Sequence, residues 1–157
     1  MSGSSDALEL DTSDCTAVVT SSHSSGVAQA DVTVSLDSSI LSTPSTIQTS
    51  VPFRVWYPSD VAVLVDDVVL NRIDSVNASG ACGRPAYQST SVSAVATFGV
   101  TGLPSVADVD VSQLVSFSVV GSAVVLSGRE LVGNEPGGAS ISLVGASVSA
   151  SAASVTV

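Results

Sequence analysis

Hydrophobic and polar residues alternate one by one in short runs along this chain. Such alternation places the apolar side chains on one face of a β-strand, whereas the spacing typical of helices is almost absent. The runs end at Gly, Pro, Asn, Asp or Ser, as in a sandwich of antiparallel strands. The apolar members of these runs are Val32, Val34 and Leu36; Val51, Phe53, Val55 and Tyr57; Val61, Val63 and Val65; Val92, Ala94, Ala96 and Phe98; and Val115, Phe117 and Val119.

The alternation changes phase near the C-terminus, between Ala152 and Ala153. A slip of one residue moves every following side chain to the opposite face of a strand. The slip therefore predicts either a β-bulge or a strand that passes from one sheet to another. Because the strand pattern runs to the final residue, Val157, we expect the chain to be a fragment of a larger protein.

The composition supports strands and restricts the partners. Hydrophobic residues make up 45% of the chain and are mostly Val and Ala, and Val packs well on a pleated sheet. The net charge is -10, and the four basic residues are all arginine. Nucleic acids and anionic membranes bind clustered positive charge, so neither is an expected partner. The apolar runs are shorter than the roughly 18 residues of a membrane-spanning segment, so we expect no membrane insertion.

Two Ser-rich stretches interrupt the strand pattern. Residues 20–26 read as a flexible loop. Residues 42–50 are rich in Ser, Thr and Pro, and read either as a linker or as a long crossing between strands that carries O-linked sugars. We place the domain boundary there, with N-terminal strands of a preceding β module at residues 1–50 and a β-sandwich at residues 51–157.

The two cysteines, Cys15 and Cys82, lie far apart in the sequence and predict a disulfide. A bridge that closes so long a loop contributes about 4 kcal/mol in the chain-entropy model. Asn77 begins an Asn-Ala-Ser glycosylation sequon, which indicates the same oxidising, extracellular compartment. The alternative is a pair of buried free thiols.

The residues that could carry chemistry predict a protein that is not an enzyme. His23 is the sole histidine and lies in a Ser-rich loop, which cannot hold a catalytic base in place. Two Cys and one His are too few for a zinc site. We expect no cofactor, with calcium as the alternative because paired carboxylates lie in predicted turns. These pairs are Asp66 with Asp67 and Asp108 with Asp110.

Two aromatic residues are predicted to anchor the core. Trp56 is the sole tryptophan, and its ring would pack among small side chains. Tyr87 would direct its hydroxyl to a backbone carbonyl, as corner tyrosines of sandwiches do. Gly133 and the pair Gly137 and Gly138 are predicted to supply positive φ angles in turns.

Three segments resemble the extracellular region of the transmembrane protein 132 family. Residues 51–58 (VPFRVWYP) are similar to its Val-Trp-x-Pro strand. Residues 82–92 (CGRPAYQSTSV) are similar to its Cys-Arg-x-x-Tyr-Gln-x-Ser-x-Val segment, with one extra glycine. Residues 127–137 (SGRELVGNEPG) are similar to its Gly-Arg-x-x-x-Gly-x-Glu-x-Gly segment and to the bacterial immunoglobulin-like group 2 pattern.

The resemblance implies tandem immunoglobulin-like domains at a cell surface, with a role in adhesion. We therefore expect an immunoglobulin-like antiparallel β-sandwich with an N-terminal β extension, whose partners are proteins, neighbouring copies of itself, or glycans. Two alternatives remain. One is a repeating subunit of an extracellular glycoprotein filament, in which a terminal strand joins a neighbour's sheet. The other is a carbohydrate-binding accessory domain, which needs an exposed aromatic platform.

Overall fold

The computed structural model describes residues 2–3, 6–20, 22–37, 46–73, 85–145 and 148–157. Within these ranges the protein consists of strands, turns and loops, without a helix, which confirms the all-β prediction. None of the described segments forms a helix long and apolar enough to span a membrane.

The described residues form fourteen strands, and the lengths of these strands range from two to eleven residues. They are β1 (Ser2–Gly3), β2 (Leu8–Asp11), β3 (Thr16–Val19), β4 (Val27–Asp37), β5 (Thr46–Val55), β6 (Tyr57–Val65), β7 (Ser89–Gly99), β8 (Val106–Asp110), β9 (Phe117–Val120), β10 (Val124–Ser127), β11 (Glu130–Gly133), β12 (Gly138–Leu143), β13 (Ala150–Ser151) and β14 (Ala153–Thr156).

The chain divides into two compact units that share no simple sequence boundary. The first unit contains Met1–Tyr57 together with Phe98–Ser105, and the second contains Pro58–Thr97 together with Val106–Val157. The boundary that the sequence predicted near residue 50 falls inside strand β5. Residues 46–50 are also strand rather than linker, because Thr and Ile favour extended backbone.

The first unit is built on a long antiparallel pair. β4 pairs with β5 from Val27 to Asp37, with an irregularity between Val27 and Ala30, and β1 adds a short third strand beside β4. β2 and β3 form a separate hairpin. The buried hydrophobic residues of this unit are small: Ala7, Ala30, Val32, Val55 and Val100.

The second unit contains a six-stranded and a three-stranded sheet. The larger sheet has the order β10-β11-β7-β6-β13, with β8 also paired to β7, and the smaller has the order β14-β12-β9. The pairings of β10 with β11, β11 with β7, and β12 with β9 and β14 are antiparallel. β13 pairs with β6 in parallel.

Both sheets of the second unit contribute to one hydrophobic core, so this unit is a two-layer β-sandwich. Leu131 on β11 and Ile141 on β12 come from opposite sheets and are both fully buried. Phe117 packs against the cluster from β9. The buried cluster consists of Val63, Leu70, Val92, Ala123, Val124, Leu131, Ala139, Ile141 and Val155.

The phase slip at the C-terminus is a change of sheet. Ala150 and Ser151 pair with β6 in the larger sheet, whereas Ala153 pairs with Ile141 in the smaller one. The second of the two sequence-based alternatives is therefore confirmed. A second link joins the two sheets: Val69, shortly after β6 of the larger sheet, forms a parallel bridge with Thr156 of β14 in the smaller one.

The two predicted core anchors lie outside the buried cluster. Trp56 is half-buried and interrupts the strands between β5 and β6, and the core is instead filled by aliphatic side chains such as Leu70 and Leu131. Tyr87 is also half-buried and forms an isolated bridge with Arg72. Its side chain lies so close to Gly133 that a Cβ atom there would be 2.6 Å from the Tyr87 Cβ.

Candidate interaction surface

The predicted disulfide is not formed in the structure, where Cys15 is an exposed free thiol. Cys15 ends the turn between β2 and β3, where its φ is 55°. Its side chain is exposed there and does not belong to a core. Cys82, the intended partner, lies outside the described residues, and so does the glycosylation candidate Asn77.

The first pair of calcium candidates lies beside an open, acidic surface cleft. Asp66 and Asp67 follow β6, and Ser91 and Glu130 line the same cleft. The Ser91 hydroxyl donates a hydrogen bond to Asp66, and the Asp67 carboxylate accepts one from the Val69 N–H at 2.9 Å. Both carboxylates therefore already have hydrogen-bond donors supplied by the protein.

The second pair of calcium candidates lies in β8, which is a strand rather than the predicted turn. Asp108 has a φ of 57°, in the left-handed region that Asp tolerates better than most residues. Asp110 accepts hydrogen bonds from the Ser112 hydroxyl at 2.6 Å and the Ser112 N–H at 2.9 Å. Among the described residues, no group of three or more Asp, Glu, His or Cys side chains is placed to share a metal ion.

Ser112 is a buried polar residue that sequence reasoning missed. Its hydroxyl accepts a hydrogen bond from the Ala94 N–H on β7 at 2.9 Å, so it replaces a backbone partner there. Its hydrogen bond to Asp110 is the main reason why the pKa of that carboxyl lies below its ordinary value, and Arg129 contributes attraction. Gln113 in turn accepts from the Arg129 guanidinium at 2.8 Å when its amide oxygen faces it. In a chain so rich in serine, the sequence has no signal that marks this one.

His23 belongs to the first unit and lies in the loop before β4. Its backbone N–H donates to the Thr20 carbonyl at 3.1 Å, and its Nε2 atom is buried without a hydrogen-bond partner among the described residues. Near this loop, Gly26 approaches the Gly99 carbonyl so closely that an added Cβ would lie 2.2 Å from that oxygen. Only glycine fits at this point.

The long pair β4–β5 carries an apolar face that is only partly covered. Val32 lies opposite Val51, and Val34 lies opposite Thr49, so these side chains share one face. Val32 is 4% exposed, but Val34 is 40% and Val51 is 45% exposed. Ile47 continues the same face and is 57% exposed. We call this face, made by Val34, Ile47, Thr49, Val51 and Phe53, the ribbon face.

The outer edge of β5 adjoins the ribbon face. In the order β1-β4-β5, β5 is the last strand, so its second edge pairs with no strand among the described residues. The edge segment, residues 47–51 (IQTSV), is exposed throughout and contains no charged residue. Charges and prolines usually protect such edges, and here they begin only at Pro52 and Arg54. Most of this segment falls in residues 42–50, for which the sequence predicted either a linker or a long crossing between strands.

The aromatic residues do not gather into an exposed platform. Phe53 is 43% exposed on the ribbon face. The other aromatic residues of the chain are half-buried: Trp56, Tyr57, Tyr87, Phe98 and Phe117.

Comparisons of the chain with protein-family models, with curated proteins and with solved structures gave no match in any of the three.

Proposed function

We propose that this protein is a non-enzymatic module of a cell-surface or extracellular protein that acts in adhesion or structural assembly, with an immunoglobulin-like second unit. The observation that carries the proposal is the order of strands in that unit. The fold alone does not define a function, so the proposal also depends on which surfaces are exposed and able to bind a partner.

The strand order supports an immunoglobulin-like sandwich because every core strand has a counterpart. In such domains strands A, B, E and D form one sheet, and strands C, F and G form the other. β6, β7, β11 and β10 take the places of A, B, E and D, and β9, β12 and β14 take the places of C, F and G. β8 and β13 are additions to the larger sheet.

Two of the three segments that resemble the transmembrane protein 132 family lie wholly within the described residues. Residues 51–58 cover the end of β5 and the start of β6, and residues 127–137 cover the turn into β11 and the turn that follows it. Gly128, in the first of these turns, has a φ of 63°, which suits glycine. The resemblance itself supports tandem immunoglobulin-like domains, and the sequon at Asn77 favours an extracellular location.

Adhesion and assembly depend on surfaces that can pair with another protein. The ribbon face is apolar, and the edge segment presents backbone N–H and C=O groups beside it. An added strand would pair with those groups while its alternate side chains contact the face. The remaining surface is acidic, which maintains solubility while these regions stay available.

The filament subunit is the second candidate, and the same edge segment favours it. In a filament this edge would instead pair with a different surface of the next subunit, because only such a head-to-tail contact repeats along an assembly. The carbohydrate-binding alternative lacks such support, since Phe53 is exposed but the other aromatic residues of the chain are half-buried.

Adhesion of protein-coated beads tests the proposal. The full chain is attached to fluorescent beads at high density, and bead–bead and bead–cell adhesion are counted beside beads that carry an unrelated acidic β-sandwich of similar charge. We expect adhesion above the control in at least one assay. Bead–bead adhesion indicates contact between copies, and bead–cell adhesion alone indicates a different partner. Adhesion equal to the control in both assays would overturn the proposal.

A further inference from the structure

We propose that the edge segment of β5 binds the same segment of a second copy of this chain, antiparallel and about a two-fold axis at Thr49. The inference rests on the proposed assembly function and names its partner. The observations that carry it are the free edge, the symmetry of its side-chain pattern and its lack of charge.

The edge segment has the properties of a strand that pairs with itself. It is exposed, extended and without a partner strand on one side among the described residues. It combines Ile, Thr and Val, which favour strands, with no charged residue, no proline and no glycine. Five residues of strand span about 17 Å, which is long enough for several backbone hydrogen bonds.

The side-chain pattern of the segment is symmetric about its central residue. If Thr49 lies opposite Thr49 of the second copy, Ile47 lies opposite Val51 of the second copy on the same face. Gln48 then lies opposite Ser50 of the second copy on the polar face. Directly opposed side chains of antiparallel strands share a face, so this register joins the two ribbon faces without a mismatch. A shift by one residue would oppose Ile47 to Ser50.

Charge favours this surface over the rest of the molecule for contact between copies. The chain carries a net charge of -10, so two copies repel one another overall. On β4, one strand away from the edge, the same pair of strands carries Asp31. Residues 47–51 bring no charge to the contact, so they pair without direct repulsion.

The contact is weak for a single pair of molecules. Pairing over five residues buries far less than the roughly 1,200 Å² typical of stable interfaces. It becomes effective where many copies stand close together, because a high local concentration multiplies weak contacts. A crowded cell surface or a filament provides that condition.

A charge-swap experiment tests both the partner and the register. Thr49→Lys and Thr49→Glu each place two like charges on the axis, so we expect each variant alone to raise the dimer Kd by at least about tenfold. An equimolar mixture places Lys opposite Glu and restores dimers. Ser35→Lys and Ser35→Glu are the matched controls, because Ser35 is exposed on β4, one strand from the edge. Sedimentation equilibrium from micromolar to millimolar protein provides the masses.

The outcomes separate this inference from the proposed function. A wild-type mass that stays at 15.5 kDa throughout overturns it, as do Thr49 variants that associate like the wild type or a mixture that fails to recover. Circular dichroism verifies that each variant is folded, and Val51→Ala weakens the contact without adding charge. If self-association is absent while coated beads still adhere to cells, the adhesion function stands and only the pairing between copies is wrong.

Discussion

At the scale of the residue, the most informative side chain is the buried hydroxyl of Ser112. It satisfies the N–H of Ala94, which is itself fully buried on β7. Ser112→Ala leaves that N–H without a partner, so we expect the free energy of unfolding to fall by about 1–3 kcal/mol. Urea denaturation measures the loss. Ser140→Ala, at an exposed position of β12, is the control and should change stability by less than about 0.5 kcal/mol.

Asp110 makes part of the same network sensitive to acid. Hydrogen bonds from Ser112 lower its pKa in the folded protein, so the folded state favours the carboxylate. A lowered folded pKa contributes stability above the unfolded value near 4, and this contribution disappears as the pH falls through the folded value. The stability difference between wild type and Asp110→Ala should therefore be constant above about pH 5 and shrink below about pH 4. A difference that grows in acid would contradict this assignment. Asp11, whose pKa is also lowered, is present in both proteins and cancels.

Single residues also show where sequence reasoning ends. Gly133 was expected to adopt a positive φ, but the structure requires glycine there because the Tyr87 side chain occupies the adjacent space. Gly137 does have a positive φ, at 150°. Trp56 was expected in the core because of its size, yet the largest fully buried residues are aliphatic. Each difference arises from contacts between distant parts of the chain, which a local pattern does not contain.

At the scale of the element, alternation predicts well which face of a strand is buried when a second layer exists. Val61 and Val63 on β6 are buried, as are Val92 and Ala94 on β7. The same pattern on β5 gives an exposed face, because alternation does not reveal whether another layer covers it. The change of sheet at Ala152 was predictable because a slip in period two has a direct geometric meaning.

Adjacent residues of β11 provide a direct test of this face assignment. Leu131 is 0% exposed within the core cluster, and Val132, on the opposite face, is 36% exposed. Leu131→Ala should lower the free energy of unfolding by about 2–5 kcal/mol through lost burial and a cavity. Val132→Ala should cost about 0.5 kcal/mol or less. Similar losses in urea denaturation would show that the two faces are not distinguished as the structure has them.

At the scale of the whole molecule, the interleaved division of the chain was beyond reach of the sequence. Phe98–Ser105 joins the first unit although the residues on both sides of it belong to the second. The contact that shows this in detail is the approach of Gly26 to the Gly99 carbonyl. Composition shifts such as the Ser-rich residues 42–50 indicate flexible or exposed chain, and they do not report which segments meet in space.

The two units differ in how much apolar side chain they bury, and this predicts a difference in local stability. The buried residues of the first unit are mostly Ala and Val, whereas the second has a continuous cluster with Leu70, Leu131 and Ile141. Regions with fewer buried apolar contacts open at lower free energy. Backbone amides of β4 and β5 should therefore exchange hydrogen more than about tenfold faster than those of β11 and β12.

Hydrogen exchange measured by mass spectrometry tests the predicted difference in exchange rate between the two units. One variant tests whether the first unit opens separately from the second. Gly26→Ala forces a Cβ to within 2.2 Å of the Gly99 carbonyl oxygen, so the backbone of the first unit must shift. We expect faster exchange chiefly in peptides from β4, β5 and Phe98–Ser105, with a smaller change in β12. Ala28→Ser, at an exposed position of β4, is the control and should leave exchange unchanged. Equal acceleration of both units by Gly26→Ala would show that they open as one cooperative body.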